Sequence, residues 1–178
     1  MKIPAKRIAL LSMLCAMSLI MFMIENLFPA MFVPGAKMGL SNIFTMLAVL
    51  WLSPVDAIVL VVIRTTLGSL FTNVSTLVYS LTAGLVSVIF TLLVVRTSLG
   101  KVSLVAVSIA SAVLHNLTQN LVYCLISQTP EMMGYMPYLA LAGILAGTVV
   151  GLAVFVITKT IKPKTILKIL DYENTDNQ

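Results

Sequence analysis

Charge is what this sequence has least of. Of its 178 residues only 10% are Asp, Glu, Lys or Arg, against 60% hydrophobic, and the mean hydropathy is +1.08. A water-soluble domain carries roughly a quarter charged residues, so this scarcity excludes one and makes lipid the solvent of most of the chain. Cysteine is also scarce. Cys15 and Cys124 both fall inside apolar runs, toward opposite membrane faces in the topology below, which excludes a disulfide pair and reads them as small buried hydrophobes. The single histidine, His115, has no acidic or thiol cluster beside it in the sequence, so no metal site is expected. There is no Gly-x-x-x-x-Gly-Lys-Ser/Thr phosphate loop, no Ser/His/acid set and no pair of aspartates to hold magnesium against a diphosphate. Neither catalysis nor a cofactor is expected.

What is present is a succession of apolar runs. A spanning helix needs about 20 mostly apolar residues, with roughly 17 to 25 tolerated. Six runs qualify or nearly so: 8–24, 38–52, 57–71, 74–95, 102–126 and 136–158. The expectation is an all-α integral membrane protein, a single six-helix bundle over 1–160. The first run follows Lys2, Lys6 and Arg7 as a signal peptide would, but it lacks a small-x-small cleavage site and leads into Glu25-Asn26. It reads as a retained helix. Ser53-Pro54-Val55-Asp56 forms a turn between the second and third runs, which are both short for a full bilayer. Read as one buried hairpin, that pair would leave four spans and a re-entrant unit; the clear turn favours six. Short, Pro/Gly-flanked spans are also the sequence pointer to a transporter's binding region.

The formal charge of +5 could suggest a nucleic-acid partner, but the basic residues sit at the ends of the apolar runs, where they orient helices in a bilayer. With both termini inside, the inner side holds Lys2, Lys6, Arg7, Arg96, Lys101, Lys159, Lys162, Lys164 and Lys168, and the outer side holds Lys37 alone. That bias predicts an N-in/C-in multi-pass protein of a cell membrane, with a bacterial plasma membrane the expected home. The segment 161–178 reads as a cytoplasmic tail. Its first part, Ile161-Lys162-Pro163-Lys164-Thr165-Ile166-Leu167-Lys168-Ile169-Leu170, suits an anionic leaflet, and the rest is polar. Gly143, Gly147 and Gly151 form a GxxxGxxxG ridge in the sixth run, with Ser80-Gly84 and Ala106-Ala110 as weaker versions. Such ridges let helix backbones approach closely, here most simply within one bundle.

Interruptions of the apolar pattern mark where chemistry belongs. Arg64 lies near the middle of the third run, and a charge at that depth is a functional candidate unless a structural partner satisfies it. Asp56 lies eight residues earlier, about 12 Å along a helix axis, too far to pair directly with it. Something else must satisfy Arg64, and a bound anion is one option. The fifth run carries His115, Asn116, Gln119, Asn120 and Tyr123 on an arc of about 140°, one face of a helix. A polar stripe of that width either faces a ligand or hydrogen-bonds neighbouring helices. Asn42 sits at the outer end of the second run. Pro34-Gly35-Ala36-Lys37-Met38-Gly39 forms a loop with one cation that would lie over the polar column.

Three elements then resemble a known family. Val33-Pro34-Gly35-Ala36-Lys37-Met38-Gly39-Leu40-Ser41-Asn42-Ile43, Arg64-x-x-x-Gly68-Ser69 and His115-Asn116-x-x-Gln119 are similar to the Gx transporter family, whose members are often labelled heptaprenyl diphosphate synthase component I. The family in turn resembles the six-helix substrate-binding S components of energy-coupling factor (ECF) transporters. The resemblance implies an S-component-like fold, with partners comprising a transmembrane coupling subunit and two cytoplasmic ATPases. It also implies docking through small residues on the first helix, where Ser12 and Ala16 match with Ser in place of the usual Ala. The Asp-rich motif of prenyl synthases does not occur in the chain, so the synthase label does not describe a catalyst.

The leading functional expectation is a non-enzymatic membrane subunit that captures a small solute, anionic or related to vitamins or isoprenoids, from outside. Asn42, Arg64, His115, Asn116, Gln119, Tyr123 and Lys37 would bind it, and Ser12 and Ala16 would dock the partner. The alternatives are a noncatalytic membrane subunit associated with polyprenyl diphosphate or quinone synthesis, and a stand-alone carrier.

Overall fold

A computed structural model describes residues 5–27, 39–71, 74–98 and 102–161. Lys37, most of the 34–39 loop and the tail from Lys162 onward lie outside the described residues, as do several of the Lys residues counted for orientation. Among the described residues the chain is helical throughout, without strands: α1 (Ala5–Leu27), α2 (Asn42–Trp51), α3 (Pro54–Phe71), α4 (Leu77–Thr97), α5 (Leu104–Ser127) and α6 (Met136–Thr160). Short 3-10 turns at Val74–Thr76 and Pro130–Tyr135 lead into α4 and α6.

All but α2 are long and apolar enough to cross a bilayer, five helices in all among the described residues. The expected second span, 38–52, is helical only over Asn42–Trp51; its 10 residues rise about 15 Å, half of a hydrocarbon core roughly 30 Å thick. Apart from Asn42 and Thr45 it is apolar, and Ile43, Phe44, Thr45, Met46, Leu47 and Ala48 are all buried. A helix hydrophobic all round belongs inside protein. Accordingly α2 packs among α1, α3, α4 and α6 instead of facing lipid. Leu47, Ala48, Trp51, Leu60, Val61 and Val154 form the dense part of the core around it. The outer surface is equally apolar, with Met13, Ile20, Leu93, Leu125, Leu145 and Val156 exposed. In water this would be a liability, whereas in lipid it is the required surface.

The turn between α2 and α3 is a helix cap. The Ser53 N–H donates to Asp56 Oδ2 (3.1 Å) and the Asp56 N–H to Ser53 Oγ (3.3 Å), a reciprocal capping box with Pro54 at the first helical position. The helix therefore starts at Pro54, three residues before the apolar run beginning at 57. Arg7 of α1 closes the cap from outside, donating from Nε to Asp56 Oδ2 (2.8 Å) and from Nη2 to Ser53 Oγ (2.6 Å). This pair aligns the start of α1 with the start of α3. Because the long helices then alternate in direction, Lys6, Arg7, Arg96 and Lys159 come to one end of the bundle.

The α5–α6 seam is built on the expected glycine ridge. A Cβ on Gly147 would sit 2.5 Å from Ile109 Cα and 2.8 Å from the Ser108 carbonyl oxygen; on Gly151 it would sit 2.7 Å from Val105 Cα, and on Gly143 2.9 Å from Val113 Cα. The obstacles are backbone atoms, so only glycine permits this approach. Gly84 meets a side chain instead, with a Cβ 2.8 Å from Val61 Cγ1 of α3. Ala106 and Ala110 do not form a seam; both are exposed on the outer side of α5. Ser111 ties α4 to α5 through hydrogen bonds with Ser87 (2.7 Å) and Thr91 (2.9 Å).

Two outcomes follow. Gly147→Val is expected to cost about 1–3 kcal/mol or to prevent folding, read as the unfolding temperature in detergent, while Ala110→Val on the lipid-facing side leaves it unchanged. Asp56→Ala removes both the cap and the Arg7 partner, for about 1–2 kcal/mol, and a double-mutant cycle with Arg7→Ala yields a coupling above zero.

Candidate functional site

Arg64 lies eleven residues into α3 and is only 3% exposed. In hydrocarbon a guanidinium costs several kcal/mol unless its N–H groups are satisfied. Two neutral oxygens from the first turn of α2 do part of this: Nη1 donates to Asn42 Oδ1 (3.1 Å) and to Thr45 Oγ1 (3.3 Å). Asn42 and Thr45 stand three residues apart, on one face of α2, so the short helix is the seat of the cation. Asp56 is not involved, as its distance along α3 required. Among the described residues Arg64 Nε is buried with no hydrogen-bond partner.

A small polar cavity lies against this guanidinium. Its wall takes residues from every helix: Glu25 from α1, Asn42 from α2, Arg64 from α3, Ser80 from α4, His115, Asn116 and Gln119 from α5, and Ala146 from α6. The cavity lies in the half of the bundle away from the Arg7–Asp56 end, since Glu25 is near the end of α1 and Asn42 at the start of α2. A second small space adjoins it across Gly39, Asn42, Ala112 and Ala146 and is lined by Ser87, Thr91, Ser108 and Ser111.

The five polar residues of α5 divide. His115, Asn116 and Gln119 line the cavity; Asn116 Nδ2 also donates to the Leu139 carbonyl of α6 (3.1 Å), which fixes the amide and turns its oxygen away from that bond. Asn120 instead donates to the Met132 carbonyl (3.0 Å), holding the turn before α6. Tyr123 does not line the cavity. Its ring packs edge-on against Tyr79 of α4, with centroids 5.6 Å apart and planes at 89°. One helical turn carries the stripe past the cavity and onto the neighbouring helix.

Sequence reasoning missed Glu25, Thr45, Ser80 and the backbone around Ser41. Glu25 ends the first apolar run, where an acidic residue is itself a sign of function. Its Oε1 accepts the Ser41 N–H (3.2 Å), while Ser18 Oγ of the same helix donates to the Ser41 carbonyl (3.1 Å). Thus α1 grips the residue that precedes Asn42 on both sides. Gly39 takes φ +68, and a Cβ there would lie 3.2 Å from Asn42 Nδ2, so the turn leading to Asn42 needs a glycine. Ser80 Oγ is buried in the wall with no hydrogen-bond partner among the described residues.

Ser12 and Ala16 are both exposed, on the face of α1 opposite to Leu14, Ser18 and Phe22. They share that face with Met13, Met17 and Ile20. Among the described residues no group of three His, Cys, Asp or Glu side chains comes together.

Breaking the Arg64 seat exposes its cost. Thr45→Val and Asn42→Ala each leave a buried charged donor short of an acceptor, and each is expected to lower stability by about 1–3 kcal/mol in detergent unfolding. Unchanged unfolding in both would show the guanidinium to be solvated from the cavity alone.

In comparisons with known proteins, the family model described as heptaprenyl diphosphate synthase component I matches residues 14–157, which include every cavity-lining residue named above. No curated protein and no solved structure matches the chain.

Proposed function

The chain belongs to the heptaprenyl diphosphate synthase component I family, and from that premise we propose that it is a substrate-binding membrane subunit: a protein that captures a small solute bearing an anionic group and relies on partners for energy. The observation that carries this reading is the polar cavity at Arg64. Six helices converge on it, Arg64 is the buried cation of its wall among the described residues, two neutral oxygens accept hydrogen bonds from its Nη1, and its Nε has no acceptor among the described residues. A buried guanidinium hydrogen-bonded by neutral oxygens suits an incoming carboxylate or phosphate, which meets a preorganised charged donor. His115, Asn116 and Gln119 would orient the remainder of the solute by hydrogen bonds, and Lys37 would belong to the loop above.

The basic end of the bundle favours placing Lys6, Arg7, Arg96 and Lys159 in the cytoplasm, with the cavity in the outer half of a bacterial plasma membrane. Under that orientation the outward small-residue pair Ser12/Ala16 suits a coupling subunit of an ECF-type importer, itself driven by two cytoplasmic ATPases. The family description favours a second reading, in which the protein is a noncatalytic membrane component that assembles with a prenyl diphosphate synthase. Affinity purification from native membranes separates them. A membrane subunit with paired ATPases supports capture for import, and a soluble Asp-rich synthase supports the second reading. Solute uptake into proteoliposomes by this chain alone, without ATP, would instead make it a stand-alone carrier.

Two substitutions test the assigned surfaces. Arg64→Lys keeps the charge but loses the fork, and should abolish the rise in unfolding temperature that a small-molecule extract of the host's growth medium gives the wild type. Ser12→Leu with Ala16→Leu should remove the co-purifying membrane subunit while leaving that thermal response intact. Loss of neither would remove support for both assignments.

A further inference from the structure

Beside the Arg64 cavity, α4 and α5 bring hydroxyls together around the second space. Ser87, Thr91, Ser108 and Ser111 line it, and Ser87 and Thr91 are only 7% and 5% exposed. Ser87 Oγ lies 2.7 Å from Ser111 Oγ, and Ser111 Oγ lies 2.9 Å from Thr91 Oγ1. Thr91 Oγ1 in turn donates to the Ser87 carbonyl (2.9 Å). A hydroxyl has one proton and two lone pairs. With the Thr91 proton on the carbonyl, both oxygen–oxygen contacts are hydrogen bonds only when Ser111 donates to Thr91 and Ser87 donates to Ser111. All three protons are then used within the set. Ser87 Oγ heads this chain: it gives a proton and receives none from the other two. Each link polarises the next, which makes the oxygen at the head a strengthened acceptor.

The two spaces share Gly39, Asn42, Ala112 and Ala146 in their walls. Three of these have little or no side chain, so one solute can reach from the guanidinium into the hydroxyl niche. Asn42 belongs to both spaces and accepts from Arg64. Resting on the solute-capture reading, we propose that the niche is a second subsite for the same solute, which carries a neutral hydrogen-bond donor, O–H or N–H, apart from its anionic group. The anion engages Arg64 and the donor engages Ser87 Oγ. An ether or ketone oxygen in that place would set lone pairs against lone pairs. A bare methyl group would leave a buried acceptor unmet, which costs free energy that a matched donor recovers. Met46, Val88 and Val150 line the same niche and suit the carbons of a spacer. Ser87 thereby becomes a specificity residue, selecting acids with a hydroxyl or amide N–H over ethers and plain acids of the same length.

The test uses the full-length protein in detergent with three sets of probes: γ-hydroxybutyrate, δ-hydroxypentanoate and ε-hydroxyhexanoate, their methyl ethers, and the corresponding plain carboxylates. At least one hydroxy acid should bind the wild type about fivefold or more tightly than both its methyl ether and its plain carboxylate, the fold-change of one net hydrogen bond. Ser87→Ala removes the head of the chain and leaves the links from Ser111 to Thr91 and from Thr91 to the carbonyl, so the fold is retained. In that variant the ratio of hydroxy acid to methyl ether should fall to about one. A merely structural Ser87 would weaken all three sets alike and leave the ratio where it was, which would overturn the assignment. Methyl ethers or plain acids binding the wild type as well as the hydroxy acids would also overturn it, while leaving solute capture standing. Binding of no probe by folded protein would count against both.

Discussion

The contact between Arg64 and the first turn of α2 is the constraint to which the rest of the bundle answers. A guanidinium at this depth cannot face lipid, so α3 must turn it inward, and something must be present to receive it. The receiver is Asn42 and Thr45. That requirement explains why a ten-residue helix, too short to span, is enclosed by α1, α3, α4 and α6 instead of being pushed aside. It also explains the attention that α1 gives to Ser41, whose N–H and carbonyl are both held by side chains of that helix. The cavity is the space this arrangement leaves on the other side of the guanidinium.

The bundle divides its labour between two ends. At one end Arg7, Ser53 and Asp56 form a closed polar cluster that aligns α1 with α3 and uses up its own charges. At the other, polar groups from several helices line one cavity, with Arg64 bonded to Asn42 and Thr45. The glycine seam between α5 and α6 and the Ser87–Ser111–Thr91 bonds between α4 and α5 make the wall opposite Arg64 rigid. In lipid, where apolar bulk gives no drive for helices to associate, such close contacts are the main source of cohesion. A binding site needs walls of this kind, because a side chain that shifts by an ångström loses its hydrogen bond.

Much of this was legible in the sequence, and the rest was hidden for identifiable reasons. Composition and run length are properties of single segments, so the membrane class, the helical runs and the glycine ridge could be read directly, although six spans were expected and five helices among the described residues are long enough to cross. Asn42, Arg64, His115, Asn116 and Gln119 were each visible as a polar break in an apolar run, and the structure brings these five to one cavity. Helix ends were less visible: α3 begins at Pro54 because a side chain closes its first turn, a matter of hydrogen bonding that hydropathy does not report. The length of α2 was overestimated for a related reason, since hydropathy is high over most of 38–52 while the helix covers only Asn42–Trp51. Tyr123 satisfied the same angular pattern as its neighbours, yet it belongs to a contact with Tyr79, which only the position of α4 decides. Glu25 was seen as the end of a run, and its role depends on residues 16 and 39 positions away that fold against it.

The central claim, that the cavity at Arg64 holds a small solute, is tested most directly by native mass spectrometry of gently purified protein released from detergent in the gas phase. The account predicts a discrete mass increment from a retained small molecule, present on the wild type and missing from Arg64→Lys protein of the same fold. Wild-type protein that carries no such increment, or an increment unchanged by Arg64→Lys, would contradict it.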